Sequence, residues 1–167
     1  MADGPALVLI GAPGAGKTRI GKRIARLLDL PFVDTDKRVV AVHGPIPRIF
    51  EDHGEPGFRV FERAQVELAL TEHAIVSLGG GAVLNPQTQA ELEPLPVVQL
   101  TVRPEVVATR NIGAGRPLLA GGVDAWKALV AERAPIYDRL SDASFDTSSL
   151  PAERIADDIV RWLEESP

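Results

Sequence analysis

Cysteine is absent from this 167-residue chain, which excludes disulfides and thiolate metal sites. The same absence fits a reducing, cytoplasmic setting. Long apolar runs are also missing, and none would span a bilayer. The N-terminal "MADGPALVLIG" has no basic segment ahead of its apolar run, so no signal peptide is expected. Positive charge is in short supply. Eighteen Lys and Arg face 23 Asp and Glu, a net charge of −5, which argues against nonspecific binding to nucleic acid. It leaves room for an anionic small ligand held by a few local arginines. The three histidines, at 43, 53 and 73, have no metal-binding spacing and read as surface residues. Repeats and low-complexity tracts are lacking. What is present is 45% hydrophobic and 25% charged residues, the balance of a soluble globular protein. The length suggests one domain, 1–167.

Apolar runs bounded by glycine predict strands at "ALVLI" (6–10), "FVDTD" (32–36), "AIVSL" (74–78) and "VVQLTV" (97–102), with a last short one in "ASFDTSS". Helical spacing begins at Lys17, with Ile20, Ile24, Leu27 and Leu28 on one face. "HGPIPRIFEDHGEPGF" reads as loop and short helix, and a longer helix follows Gly57 to about His73. Pro104 suits the first turn of a helix. Another helix spans 124–140, interrupted by Pro135, and a last one follows Pro151 with Ile155, Ile159, Trp162 and Leu163 on one face. Strands alternating with helices imply a parallel sheet covered on both faces, with ligands at the carboxyl ends of its strands.

"GAPGAGKT" (11–18) fills the pattern G-x-x-x-x-G-K-[ST] between a strand and a helix. Gly11, Gly14 and Gly16 allow a turn that a side chain would block, and free N–H groups then gather phosphate oxygens. The helix that starts near Lys17 adds the positive end of its dipole. Lys17 can reach the terminal phosphates, and Thr18 offers magnesium a hydroxyl. The pattern points to a nucleoside triphosphate and says little about the phosphoryl acceptor.

Other features narrow the acceptor. Asp34 and Asp36 alternate along the expected strand end, so both can face one side. One could orient magnesium and the other accept a proton from an attacking hydroxyl. Taken alone they would be capping or solvated residues. Arg59 and Glu62 are three apart on a helix face, which by itself is a surface ion pair. Gly79, Gly80 and Gly81 close a buried strand, as a tight turn or as bare backbone for a ligand to approach. Arg116 sits in the aperiodic, glycine-rich "NIGAGRPLLAGGVD", a candidate mobile loop, and Arg133 in "ERAPIY". The planar fork of an arginine suits a carboxylate.

Together "GAPGAGKT", "DTD", "FRxxE", "LGGGAV", "RPLL" and "ERAPIYDRL" resemble, in order and approximate spacing, the shikimate kinases, from about Leu7 to Asp146. The resemblance implies a three-layer P-loop kinase of the nucleoside monophosphate kinase type. Its α/β fold would hold a five-stranded parallel sheet, a substrate-binding segment about 34–62 and a small lid about 112–124. It implies transfer of the γ-phosphoryl of ATP to the 3-hydroxyl of shikimate, with Mg2+, by a cytoplasmic monomer on the route to chorismate and aromatic amino acids. The residues matching the family's ATP site are Gly14, Ala15, Gly16, Lys17, Thr18, Arg19, Arg110 and Arg116, the last on the lid. Asp36 matches the candidate base, and Thr18 and Asp34 match the magnesium site. Arg59 and Arg133 match the carboxylate clamp, Gly79, Gly80 and Gly81 line it, and Glu62 orients Arg59.

The chain departs from that pattern after "FDT" (145–147). Many relatives carry an arginine there that packs on adenine, and this chain has "SSLP". Position 18 is threonine where serine is commoner, and "HGPIPRIF" carries two prolines in the segment that packs over substrate. The rival readings are a gluconate-type kinase, a non-catalytic nucleotide-binding module and an adenylate-kinase-like activity.

Overall fold

The computed structural model describes residues 4–110 and 121–166. Its centre is β1 (Leu7–Gly11), buried along its whole length. A strand covered on both faces needs no polar alternation, which is why "LVLIG" is apolar throughout. Period two still decides which neighbours each residue meets. Leu7 and Leu9 join a core with Ile20, Ile24, Leu100 and Ile155, while Val8 and Ile10 join the opposite one with Val66, Leu78, Leu92 and Tyr137.

On either side of β1 run β3 (Ile75–Ser77) and β4 (Val97–Thr101), with β2 (Phe32–Asp34) and β5 (Ala143–Asp146) at the edges. The order is β2-β3-β1-β4-β5, and every pairing is parallel. Leu9 lies opposite both Ser77 and Val98, so the ends of β1 and β3 open side by side at the switch point of the sheet. Helix α1 (Lys17–Leu28) and the C-terminal α7 (Ala152–Glu165) cover one face. On α1, Ile20 and Ile24 are buried as expected and Leu28 is partly so, but Leu27 is 43% exposed.

The expected five-stranded parallel sheet is present, and several boundaries differ. Strand β2 stops at Asp34, and α2 (Thr35–His43) begins at once. The helical stretch after it is α3 (Ile46–Ala69), broken at Gly54, where φ is 68° and Pro56 follows. Val39, Ile49 and Phe58 form a small separate core that joins α2 to α3. A helix absent from the sequence reading, α4 (Pro86–Leu92), starts with Asn85 accepting from the N–H groups of Gln87 and Thr88. The Asn-Pro pair was its signal. After α5 (Pro104–Val107) comes α6 (Val123–Leu140), which runs through Pro135 without ending there. Pro135 and Ala131, whose carbonyl loses its helical donor, are both exposed, so water can replace the missing bond. His43 and His53 are exposed and flank the Phe61 ring, and exposed His73 pairs with the Gly4 carbonyl at 3.2 Å. No described helix is long and apolar enough to cross a membrane.

Candidate active site

The loop between β1 and α1 is fastened by its carbonyl oxygens. Lys17 Nζ donates to Gly11 O at 2.7 Å and Ala12 O at 3.0 Å. Trp126 Nε1 donates to Pro13 O at 2.8 Å, Arg110 Nη1 to Gly14 O at 2.8 Å, and Thr147 Oγ1 to Ala15 O at 2.7 Å. Five successive carbonyls are thus held; Ala15 N–H bonds back to Ala12 O at 3.2 Å, and the remaining N–H groups of the loop are left to face an anion. Gly16 precedes the helix at φ 96°, a left-handed conformation that glycine adopts without strain.

Thr18 Oγ1 donates to Asp34 Oδ2 at 2.8 Å. Asp34 and Asp36 are not alternate residues of one strand end. Asp34 caps α2, its Oδ1 accepting from Lys37 N at 3.2 Å, and Asp36 lies in the first turn of that helix. The capping bond releases the chain from the sheet one residue earlier than periodicity suggests.

Each glycine of the turn after β3 lies against a different charged side chain. A methyl group on Gly79 would collide with the Asp36 carboxylate, and one on Gly81 with the Arg59 guanidinium. On Gly80 it would sit 3.3 Å from Arg133 Nη1. The three glycines therefore allow one carboxylate and two guanidinium groups to converge on a single backbone turn. Thr35, fully buried, anchors this turn by accepting from Gly79 N at 3.1 Å.

Arg59 is held by Glu62 at 2.9 Å and Glu55 at 3.2 Å. The Glu62 side chain is 5% exposed, so this is no surface ion pair. Burial pushes its pKa up to about 7, outweighing the opposite pull of Arg59 and Arg133, and Asp36 adds to the rise. Arg133 is buried against Tyr137, whose hydroxyl donates to Gly80 O at 2.6 Å. Burial pushes the Tyr137 phenol up, which keeps it a donor.

One cavity of about 1010 Å³ takes in both groups. Gly14, Ala15, Gly16, Lys17, Thr18, Arg19 and Arg110 line one part, with Leu150 and Pro151 beside them. Arg19 is the loosest of these, 78% exposed and 3.9 Å from Glu153. Asp36, Arg59, Glu62, Gly80, Gly81 and Arg133 line the other part, beside Phe50 and Phe58. Arg116 and most of the expected lid, 112–124, lie outside the described residues. Thr35, Trp126, Tyr137 and Thr147 were not singled out from sequence. Only Tyr137 left a trace, four residues after Arg133 and so on its helix face.

A phosphate loop facing a small pocket that holds two arginines and a carboxylate defines a P-loop phosphotransferase with a small anionic acceptor. The family model for shikimate kinase matches residues 13–164. A shikimate kinase of Salinispora tropica is 43% identical over 163 residues, covering 95% of this chain and 98% of that protein. The structure of shikimate kinase from Acinetobacter baumannii in complex with shikimate superposes with a TM-score of 0.91 at 30% identity, covering 98% of this chain and 94% of the other. A gluconokinase from Sinorhizobium meliloti reaches a TM-score of 0.65 at 18% identity, covering 98% and 94%, a likeness of fold alone. The chain belongs to the shikimate kinase family, and it is an ATP-dependent kinase.

Proposed function

We propose that this enzyme transfers the γ-phosphoryl of ATP to the 3-hydroxyl of shikimate, with the residues above in defined roles. The observation that carries this is the convergence of Asp36, Arg59 and Arg133 on Gly79, Gly80 and Gly81, in one cavity with the phosphate loop. Arg59 and Arg133 pair with the shikimate carboxylate. Asp36 takes the proton of the attacking hydroxyl. Lys17 and the loop N–H groups hold the phosphates, Arg110 borders the nucleotide, and Arg116 neutralises charge on the transferring group. Thr18 and Asp34 offer only oxygen atoms, 2.8 Å apart, which suits a hard cation also bound by phosphate oxygens. Magnesium, when bound there, would draw charge from the β- and γ-phosphates. A cytoplasmic monomer is the proposed setting, supported by the absence of cysteine and by one chain's supplying both parts of the cavity.

The direct test is ADP release with ATP and magnesium, with shikimate, with gluconate and with neither. Release that requires shikimate is expected. Equal release with gluconate would move the assignment to the gluconate-type reading. No release with either acid, from protein that binds ATP, would move the assignment to a different acceptor or to a binding module.

Glu62 sets a pH dependence. Its folded pKa of about 7 lies above the ordinary 4.5, so the folded protein binds more protons between those values. Its contribution to stability therefore falls as pH rises from about 4.5 to about 7, then levels off. Ionised Glu62 also repels an incoming carboxylate. Shikimate should bind about tenfold more weakly at pH 8.5 than at 5.5, a loss of about 1.4 kcal/mol to that repulsion. Titration calorimetry across this range checks it. A flat profile, or an unchanged slope in Glu62→Gln, would remove Glu62 as the titrating group.

A further inference from the structure

The donor loop and the acceptor turn touch, and one helix braces both. A methyl group on Gly80 would lie 3.2 Å from Pro13 Cγ and Cδ, so the two loops meet at these residues. Each is also tied to α6 by its carbonyl oxygen. Trp126 Nε1 donates to Pro13 O at 2.8 Å, and Tyr137 Oη donates to Gly80 O at 2.6 Å. Both side chains are 2% exposed. They stand eleven residues apart on α6, which is about three turns, and therefore share one face about 16 Å apart. Arg133 lies on the same face between them.

We propose that Trp126 and Tyr137 are positioning residues that set the distance between the phosphoryl donor and the acceptor hydroxyl. This rests on the reading that the turn at 79–81 holds the acceptor. The sheet bonds β1 to β3 as far as Leu78 N–H on Leu9 O, at 3.1 Å; beyond that pair Pro13 lies on Gly80, and a contact between a ring and a bare backbone can slide. A helix does not stretch at physiological forces, so a hydrogen bond from each end of one helix face fixes the spacing. In-line transfer is sensitive to that spacing, and a shift of about 1 Å can cost about a hundredfold in rate. Trp126 Nε1 reaches a backbone carbonyl, whereas the Tyr137 hydroxyl also pairs with Arg133. Loss of the Trp126 donor should therefore appear in kcat rather than in either KM, while loss of the Tyr137 hydroxyl should lower kcat and also raise the KM for shikimate.

Tyr137→Phe removes the hydroxyl and keeps the ring. Replacing Trp126 by 3-benzothienylalanine removes the N–H and keeps the bicycle, which avoids the cavity that Trp126→Phe would open. Circular dichroism checks each fold, and wild type runs alongside. A drop in kcat of about tenfold is expected for each variant, with both KM values within about twofold of wild type for the Trp126 replacement and the KM for ATP within about twofold for Tyr137→Phe, whose hydroxyl also pairs with Arg133. The double variant should lose little more than the worse single one, because both bonds hold the same spacing. Unchanged kcat in both folded variants would overturn the proposal. A higher KM for ATP or shikimate at normal kcat would overturn it too, reducing each residue to a local support. Losses that multiply in the double variant would show two independent effects and count against a shared brace. Failure of wild type to release ADP with shikimate would instead sink the assigned reaction, so the two failures are distinguishable.

Discussion

Asp36→Asn should lower kcat by about 10²–10⁴-fold while ATP affinity stays within about twofold. The carboxylate sits in the first turn of α2, packed on the bare backbone of Gly79. Asparagine is nearly isosteric and fits the same gap, so the fold should survive. It cannot accept the proton that the attacking hydroxyl must lose. Its neutral amide also cannot hold a hydroxyl with the strength of a charged acceptor. Neither loss touches the phosphate loop, whose carbonyls are fastened by Lys17, Trp126, Arg110 and Thr147. Steady-state turnover, with calorimetric titration of ATP on the same preparation, decides the matter. A variant with near-normal turnover would remove Asp36 from the role of base. A large loss of ATP affinity would place its main influence on the donor site instead.

Arg133→Ala should raise the KM for shikimate by about 10- to 100-fold and leave the KM for ATP within about twofold. The range corresponds to about 1.5–3 kcal/mol for hydrogen bonds to a charged group. Arg133 is 4% exposed and faces Gly80 and Tyr137, so its loss also leaves an unfilled space beside Glu62. Arg133→Lys separates the two effects. Lysine restores the charge and much of the volume but lacks the planar fork that meets both carboxylate oxygens. It should recover stability more fully than affinity. The methyl ester of shikimate supplies the complementary test. Wild type should prefer the acid strongly, and Arg133→Ala should lose most of that preference. Equal losses for ATP and shikimate, or an undiminished preference for the acid, would contradict a carboxylate clamp.

The donor half of the site was legible because it is local. Strand, loop and helix follow one another from Leu7 to Leu28, and the spacing of glycines, lysine and threonine in "GAPGAGKT" is a complete signature within that stretch. Buried strands announced themselves for the same reason, since a parallel strand covered on both faces must be apolar throughout. The acceptor half was visible only as fragments. "DTD", "FRxxE", "GGG" and "ERAPIY" are each ordinary, and only their joint order carried meaning through the family resemblance. Reading Asp34 and Asp36 as strand neighbours failed because a capping bond to Lys37 outweighed the period of the strand.

What the sequence by itself determined is the sheet, the phosphate loop, the strands whose carboxyl ends hold the cavity, and the family. Tertiary structure alone decided how the halves are joined. The bonds that do so link Gly79 to Thr35 across 44 residues, Gly80 to Tyr137 across 57, Pro13 to Trp126 across 113 and Ala15 to Thr147 across 132. No periodicity reaches over such separations, because these donors meet their acceptors only after the sheet has ordered both. Burial is collective in the same way. It turns Glu62 from half of a helix-face ion pair into a carboxyl that titrates at about 7, and the cause is the wall of side chains around it rather than its own neighbours in the chain.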